Sequence, residues 1–321
     1  MRFTAPKTFW SHNPNFNPGG EFRSPPVFFR DTLLERGAPR RRRARKARPP
    51  IYGRTLKSFS AVHFVFFVRA NLLMKHYLDA AVNAARAAGE MLRQNFEKPK
   101  QVNQTTKHDI KLEIDVRLQE LITQSLLKDF PQHALYGEEG IVGDQASEFQ
   151  WVVDPLDGTV NYYYGIPHFC VSIALRRKAE IIVGTIYDPI RDELWIGQKG
   201  TAPKLNGREF RVSERADLAE AVVSVGLSKT GVTIEAGIPL LQTMVHRARK
   251  CRLLGSAALD MAYVACGRLD AYIEQGISLW DIAAGWILVE TAGGSVEMKP
   301  RMDMPERYSI IASNGVIDLK L

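Results

Sequence analysis

Trp151-Val152-Val153-Asp154-Pro155-Leu156-Asp157-Gly158-Thr159-Val160-Asn161-Tyr162 decides how the rest of this 321-residue chain is read. Its apolar start, Trp151 to Val153, has the character of a buried strand. The strand is expected to stop at Asp154, because Pro155 lacks a backbone N–H and forbids regular continuation. Asp157 follows, so two acids stand where a buried strand ends. Such acids are costly unless a positive group neutralises them. A divalent metal ion would do so, and carboxylates at i and i+3 on an irregular turn can converge on one. Gly158 and Thr159 add free backbone N–H groups and a hydroxyl, which suit a phosphate.

Just upstream, His133 to Tyr136 reads as a short strand leading into Gly137-Glu138-Glu139-Gly140. Glycines on both sides of paired acids suggest a tight turn whose carboxylates point into a site. Before that come two helices. One spans 75–96, with Leu78, Ala81, Val82, Ala85, Ala88 and Leu92 on one face. The other runs for about twenty residues with Ile110, Ile114, Leu118, Leu121, Ile122 and Leu126 as its apolar face, and Phe130-Pro131 ends it.

Downstream the pattern turns to alternating, β-branched runs: Phe169–Arg176, Glu180–Tyr187, Glu193–Gly197 and Phe210–Ser213. Asn206-Gly207 is a hairpin signal, so this region reads as an antiparallel meander. From residue 217 strands and helices alternate. Strands are expected at Ala221–Val225, Cys251–Leu254, Leu269–Glu274 and Tyr308–Ala312, helices at Ile234–Arg249, Ser256–Cys266 and Trp280–Ala292. Asp281 sits at the start of the last helix, a place that an N-cap acid also takes. The alternation indicates a layered α/β sandwich in two halves, 74–215 and 216–321.

The charge is uneven. Residues 1–73 hold fifteen Lys and Arg against three acids, whereas 74–321 hold 28 against 32. The basic balance therefore belongs to a leader and does not mark the rest as nucleic-acid binding. That leader, with its run Arg40 to Arg48, fits a targeting peptide, a nucleic-acid or membrane-surface tail, a secretory signal with Phe59–Val68 as its apolar core, or a disordered segment. A start codon placed too far upstream, with Met74 as the true start, would leave the same pattern. Cys170, Cys251 and Cys266 lack metal-type spacing, and reduced thiols fit a cytoplasmic protein. No stretch approaches the ~20 apolar residues that span a bilayer.

Gly-Glu-Glu at 137–139, Asp-Pro-Leu-Asp-Gly-Thr-x-Asn at 154–161 and Trp-Asp-x-Ala-Ala-Gly at 280–285 stand in an order that resembles the inositol monophosphatase family. The resemblance covers residues 75 to about 318. It implies the αβαβα sandwich shared with fructose-1,6-bisphosphatase, a homodimer, and a lithium-sensitive, Mg²⁺-dependent hydrolase. Carried over, Glu138, Asp154 and the carbonyl of Leu156 would bind a first Mg²⁺, and Asp154, Asp157 and Asp281 a second. A third, weaker ion would share Glu138. Gly158 and Thr159 would hold the phosphate, and Asp109 would hydrogen-bond Thr159. Glu274 and the Gly255-Ser256-Ala257 turn would touch the ring that carries the substrate's hydroxyls, alongside Asp157 and Asp281. Ser278 departs from the His that some relatives carry near this acid, which bears on ion affinity and lithium response.

The chemistry expected is hydrolysis of a small phosphomonoester, myo-inositol monophosphate or a similar polyol phosphate, by metal-activated water. Either Glu138 with its ion or the Thr159–Asp109 pair would activate that water. Sister activities on fructose 1,6-bisphosphate or 3′-phosphoadenosine 5′-phosphate are the enzymatic rivals. An RNA- or polymerase-associated scaffold with the basic leader as its tail is the rival from another class.

Overall fold

The computed structural model describes residues 61–227 and 229–321, with side chains from Leu72 onward. The chain enters through helix α1, Ala61–Asn95, then a hairpin of β1, Val102–Thr105, and β2, Ile110–Leu112. Helix α2, Glu113–Asp129, follows, and then β3, Ala134–Gly137, β4, Gly140–Val142, and β5, Phe149–Asp157. One turn of helix, α3, Thr159–Tyr163, leads to the meander β6, Cys170–Arg177, β7, Glu180–Asp188, β8, Glu193–Gln198, β9, Lys204–Leu205, and β10, Arg208–Glu209. The remainder is β11, Val222–Gly226; α4, Gly231–Arg247; β12, Lys250–Arg252; α5, Ala257–Ala265; β13, Ala271–Ile277; α6, Leu279–Thr291; β14, Ser295–Pro300; and β15, Tyr308–Ser313.

Two sheets organise these elements. The larger has strand order β10-β9-β8-β7-β6-β5-β3-β4, the smaller β12-β11-β13-β15-β14. Alternation along β5 shows how the layers form. Trp151 and Val153 pack with α1 and α2, while Val152 packs on the opposite face with Ala258, Ala262 and Ala284 of α5 and α6. The far side of α5 and α6 meets Tyr272, Ile310 and Ala312 of the smaller sheet. Met244 of α4 covers that sheet's other face, against Val223, Val225 and Ile273. The order of layers is helix, sheet, helix, sheet, helix, the αβαβα sandwich. Small residues on α5 and α6 let a helix pair fit between two sheets. Each large side chain buried outright, such as Leu118 or Ile122 of α2, contributes about 2 kcal/mol, so packing and not propensity holds that helix.

Several elements differ from the sequence reading. Helix α1 begins at Ala61, not at residue 75, so it runs unbroken through Met74. The readings placed on residues 1–60 lie outside the described residues. The second helix begins at Glu113, because Ile110–Leu112 pair as a strand with 102–105. Asp115 fixes that start by accepting the Leu112 N–H at 2.8 Å. Phe210–Ser213 is irregular; the pairing after Asn206-Gly207 is over by Glu209. That turn has φ of +48° and +81° at its two centres, the left-handed pair that a two-residue hairpin demands. Strand β5 does not stop at Asp154 but continues to Asp157 through a bulge that absorbs Pro155. Among the described residues no helix is long and apolar enough to cross a membrane.

Candidate functional site

The bulge in β5 has a consequence for the two acids. In an unbroken strand, residues three apart point to opposite faces. The partners of Asp154 and Asp157 on β6 are Ser172 and Cys170, so three steps on one strand match two on the other. The parity reverses, and both aspartates line one cleft of about 330 Å³. Asp154 Oδ1 accepts the Leu156 N–H at 3.0 Å. Gly158 then turns with φ of +95°, and a Cβ there would stand 3.0 Å from the His168 carbonyl oxygen, so only glycine fits.

Glu138 reaches the same point from the parallel neighbour. β3 pairs with β5, Gly137 opposite Val153, and the Glu138 N–H donates to the Val153 carbonyl at 3.2 Å. Gln119 of α2 clamps this turn, accepting from the Glu139 N–H at 2.9 Å and donating to the Gly140 carbonyl at 3.0 Å. Gly137 is required for that clamp, since a Cβ would sit 2.2 Å from Gln119 Oε1. The two acids of the turn diverge, contrary to the expectation that both face a site. Glu139 pairs with Lys111 at 3.0 Å, while Glu138 joins Asp154 and Asp281.

Asp281 arrives from the first turn of α6. It accepts the Ser278 N–H at 2.9 Å, and Ser278 is the N-cap. Asp281 is thus both a capping-box acid and a cleft residue. Ligand oxygens of Glu138, Asp154 and Asp281 all lie within 4.8 Å of one another. Asp157 stands outside this trio, because its Oδ2 accepts from Ser256 Oγ at 2.5 Å and from the Ala258 N–H at 2.7 Å, at the mouth of α5. The Cys170 thiol lies against the same oxygen at 3.8 Å; burial first, and the neighbouring aspartates next, push its pKa up, which favours the protonated thiol.

The acids strain one another. Burial, then Glu138, Asp157 and Asp281, drives the Asp154 pKa well above the ordinary carboxylate range. Burial and Glu138 push Asp281 up to about 8, and burial pushes Asp157 up to about 6 against its hydrogen bonds from Ser256 and Ala258. A convergent, all-oxygen donor set in which Asp154 and Asp281 resist ionisation unless a cation is near fits a hard divalent ion such as Mg²⁺.

Asp109, in the turn between β1 and β2, also lines the cleft, as do Leu156, Thr159, Gly255, Ser256, Ala257 and Glu274. The Thr159 hydroxyl donates to the Leu156 carbonyl at 2.9 Å, where the resemblance implies a bond to Asp109. Asp109 Oδ1 is buried without a hydrogen-bond partner and faces Lys229 Nζ at 3.3 Å. Glu274 accepts from the Tyr272 hydroxyl.

Three charged cleft residues, two basic and one acidic, escape the sequence reading. Lys229, between β11 and α4, sets its ammonium 3.1 Å from Glu138. Burial opposes its charge, but Glu138, Asp281, Asp109 and Asp154 outweigh that and raise its pKa. Arg307 donates to the Ser278 hydroxyl beside Asp281. Asp260 on α5 accepts from Ser224 at 2.8 Å, keeps a partnerless buried Oδ1, and has its pKa raised mainly by burial. No local signal marks Lys229 or Arg307; Asp260 has one, an acid on the buried face of a helix whose mouth already carries Ser256.

The family model for inositol monophosphatases matches residues 73–320. The chain is 40% identical over 253 residues to Nus factor SuhB of Xylella fastidiosa, which covers 75% of this chain and 91% of that protein. It is 39% identical over 249 residues to inositol-1-monophosphatase of Mesorhizobium japonicum, 76% of this chain and 94% of that one. The solved structure of extragenic suppressor protein suhB from Bartonella henselae aligns with a TM-score of 0.69 at 33% identity, over 74% of this chain and 94% of that chain. Family model, sequence identity and fold agree: the chain belongs to the inositol monophosphatase family.

Proposed function

We propose that the protein is a Mg²⁺-dependent phosphomonoesterase that hydrolyses myo-inositol monophosphate or a similar polyol phosphate. The observation that carries this is the trio Glu138, Asp154 and Asp281, convergent within 4.8 Å beside the Gly158-Thr159 turn. The name of the Mesorhizobium japonicum relative supports the same activity. Glu138, Asp154, the Leu156 carbonyl, Asp157 and Asp281 would hold two or three ions. When bound, Mg²⁺ supplies neutralisation of the phosphate's charge and a lower pKa for water.

The chain's own groups do the rest. N–H groups of Gly158 and Thr159, which open α3 and have no partner within it, hold the phosphate oxygens. The attacking water forms a new P–O bond as the ester P–O bond breaks, and its proton passes to a carboxylate. Glu138 is one acceptor; Asp109, which lines the same cleft with Thr159, is the other, once the Thr159 hydroxyl turns from the Leu156 carbonyl towards it. The leaving alkoxide takes up a proton, and the carboxylate gives back the one it received from water, so that one proton passes in net from water to alkoxide. Glu274, fixed by Tyr272, and the 255–257 turn accept and donate to the polyol's hydroxyls. Catalysis on this reading is positioning and charge, with no covalent enzyme intermediate.

Phosphate release from a panel of myo-inositol 1-phosphate, fructose 1,6-bisphosphate and 3′-phosphoadenosine 5′-phosphate with Mg²⁺ tests it. A large preference for the adenosine bisphosphate would overturn the substrate assignment.

The Xylella fastidiosa relative is named a Nus factor and not a phosphatase, which favours the second reading, an RNA- or polymerase-associated scaffold. Asp281→Asn separates the two: that role survives the substitution, and phosphatase-dependent function does not.

A further inference from the structure

Lys229 has no part in the family resemblance and none in the reaction above. It leaves β11 and directly precedes Thr230, the N-cap of α4, on the smaller sheet's side of the cleft. Its side chain crosses to Glu138, at the end of β3 in the larger sheet, and to Asp109, in the β1–β2 turn. Nζ lies 3.1 Å from Glu138 Oε1 and 3.3 Å from Asp109 Oδ1. Glu138 is the carboxylate that also stands within 4.8 Å of Asp154 and Asp281. Asp109 Oδ1 is buried and accepts no hydrogen bond, so the ammonium is the positive group that answers it. An ammonium is a compact point charge with three donors on a flexible stem, able to bridge two carboxylates. The acid cluster therefore has two ends. One, at Glu138 and Asp109, is paired directly with a cation built into the chain; the other, at Asp154 and Asp281, feels that charge only at longer range. A divalent ion seated between Glu138 and Asp109 would compete with this like charge for the same oxygens, a place apart from the Glu138, Asp154 and Asp281 trio.

We propose that the Lys229 ammonium is a tethered cation that fills the Glu138–Asp109 end of the cleft and replaces the weakest of the divalent ions, so that the chain binds two ions and not three. The inference rests on the reading of the cleft as a Mg²⁺ site. Its physical content is that a charge delivered by the chain needs no ion from solution, at the cost of one coordination place.

The test counts bound Mn²⁺, an ion with the same oxygen preference and a paramagnetic signal, on the full chain as wild type, Lys229→Met and Lys229→Arg. Two Mn²⁺ per chain are expected for wild type and Lys229→Arg. Lys229→Met is expected to bind a third, or to bind at the Glu138 end about tenfold more tightly, and to show a larger rise in Tm on Mn²⁺ addition. Lys229→Gln, which removes the charge but keeps a donor for Glu138, carries the same expectation should the Met variant fail to fold. Identical stoichiometry and affinity in wild type and both neutral variants overturn the proposal. Wild type that binds no Mn²⁺ overturns the metal-site reading beneath it, a distinct result.

Discussion

Asp270 and Asp154 are both buried aspartates at the strands of one sandwich, and they are supplied differently. Asp270 accepts from the Ser213 hydroxyl, from Arg215 Nε at 2.8 Å and from the Val222 N–H at 2.7 Å. Asp188, equally buried, takes the N–H groups of Ile190 and Arg191 together with the Arg191 guanidinium at 2.8 Å. Each has backbone donors and a cation. Asp154 takes the Leu156 N–H, and Glu138, Asp157 and Asp281 crowd it with like charge. A buried acid whose donors are complete is part of the scaffold. One hemmed in by other acids stores a demand for a cation, and that demand is what makes a site.

Exchanging the acids breaks this comparison most sharply. Asp281→Asn is expected to lower kcat by roughly two to three orders of magnitude, because a cation ligand is gone. Its metal-free Tm should hold or rise, since one of several repelling charges is removed. Wild-type turnover in a folded Asp281→Asn protein would return Asp281 to a plain capping role. The opposite result is expected at the scaffold acid. Asp270→Ala strands the Arg215 guanidinium and the Val222 N–H, and should destabilise the fold by about 3 kcal/mol in a denaturant titration while the folded fraction keeps its turnover. An unchanged midpoint would show that Asp270 is not the structural pin its contacts make it.

A smaller effect sharpens the contrast. Asp157 and Asp281 have folded pKa values of about 6 and about 8, above the ordinary value of 3.8 that an unfolded chain restores. Between those limits the folded state holds more protons, so the cluster's contribution to metal-free stability is present at low pH and is lost as pH rises from about 4 to about 8. Mg²⁺ takes the protons' place. The rise in Tm on adding Mg²⁺ should therefore grow by a few degrees across that window and level off above it. Thermal shifts with and without Mg²⁺ at several pH values measure this, and a pH-independent increment would mean that these acids do not bind the ion.

How much of this could be read beforehand depends on range. The acids at 154 and 157, Gly158 and the Asn206-Gly207 hairpin are visible because their causes are local: a missing N–H at proline, a positive φ, a two-residue turn. The start of α1 and the Ile110–Leu112 strand are not. The first lies in a segment whose composition hides its helix, and the second has a helix's apolar spacing that its pairing with 102–105 overrides. Glu138 and Glu139 are indistinguishable in sequence. Lys111 claims one, and the parallel pairing of β3 with β5 turns the other to Asp154.

By itself, the sequence determined the chemistry available: acids at a strand end, a phosphate-sized turn beside them, and a later acid opening a helix. Only the tertiary structure decided which acids meet, that Asp157 is tied to the mouth of α5 through Ser256 and Ala258, and that Lys229 reaches across to Glu138 and Asp109. The reason is that an acid's partner set depends on distance through space, and two sheets packed on one helix pair bring together charges that no spacing along the chain records.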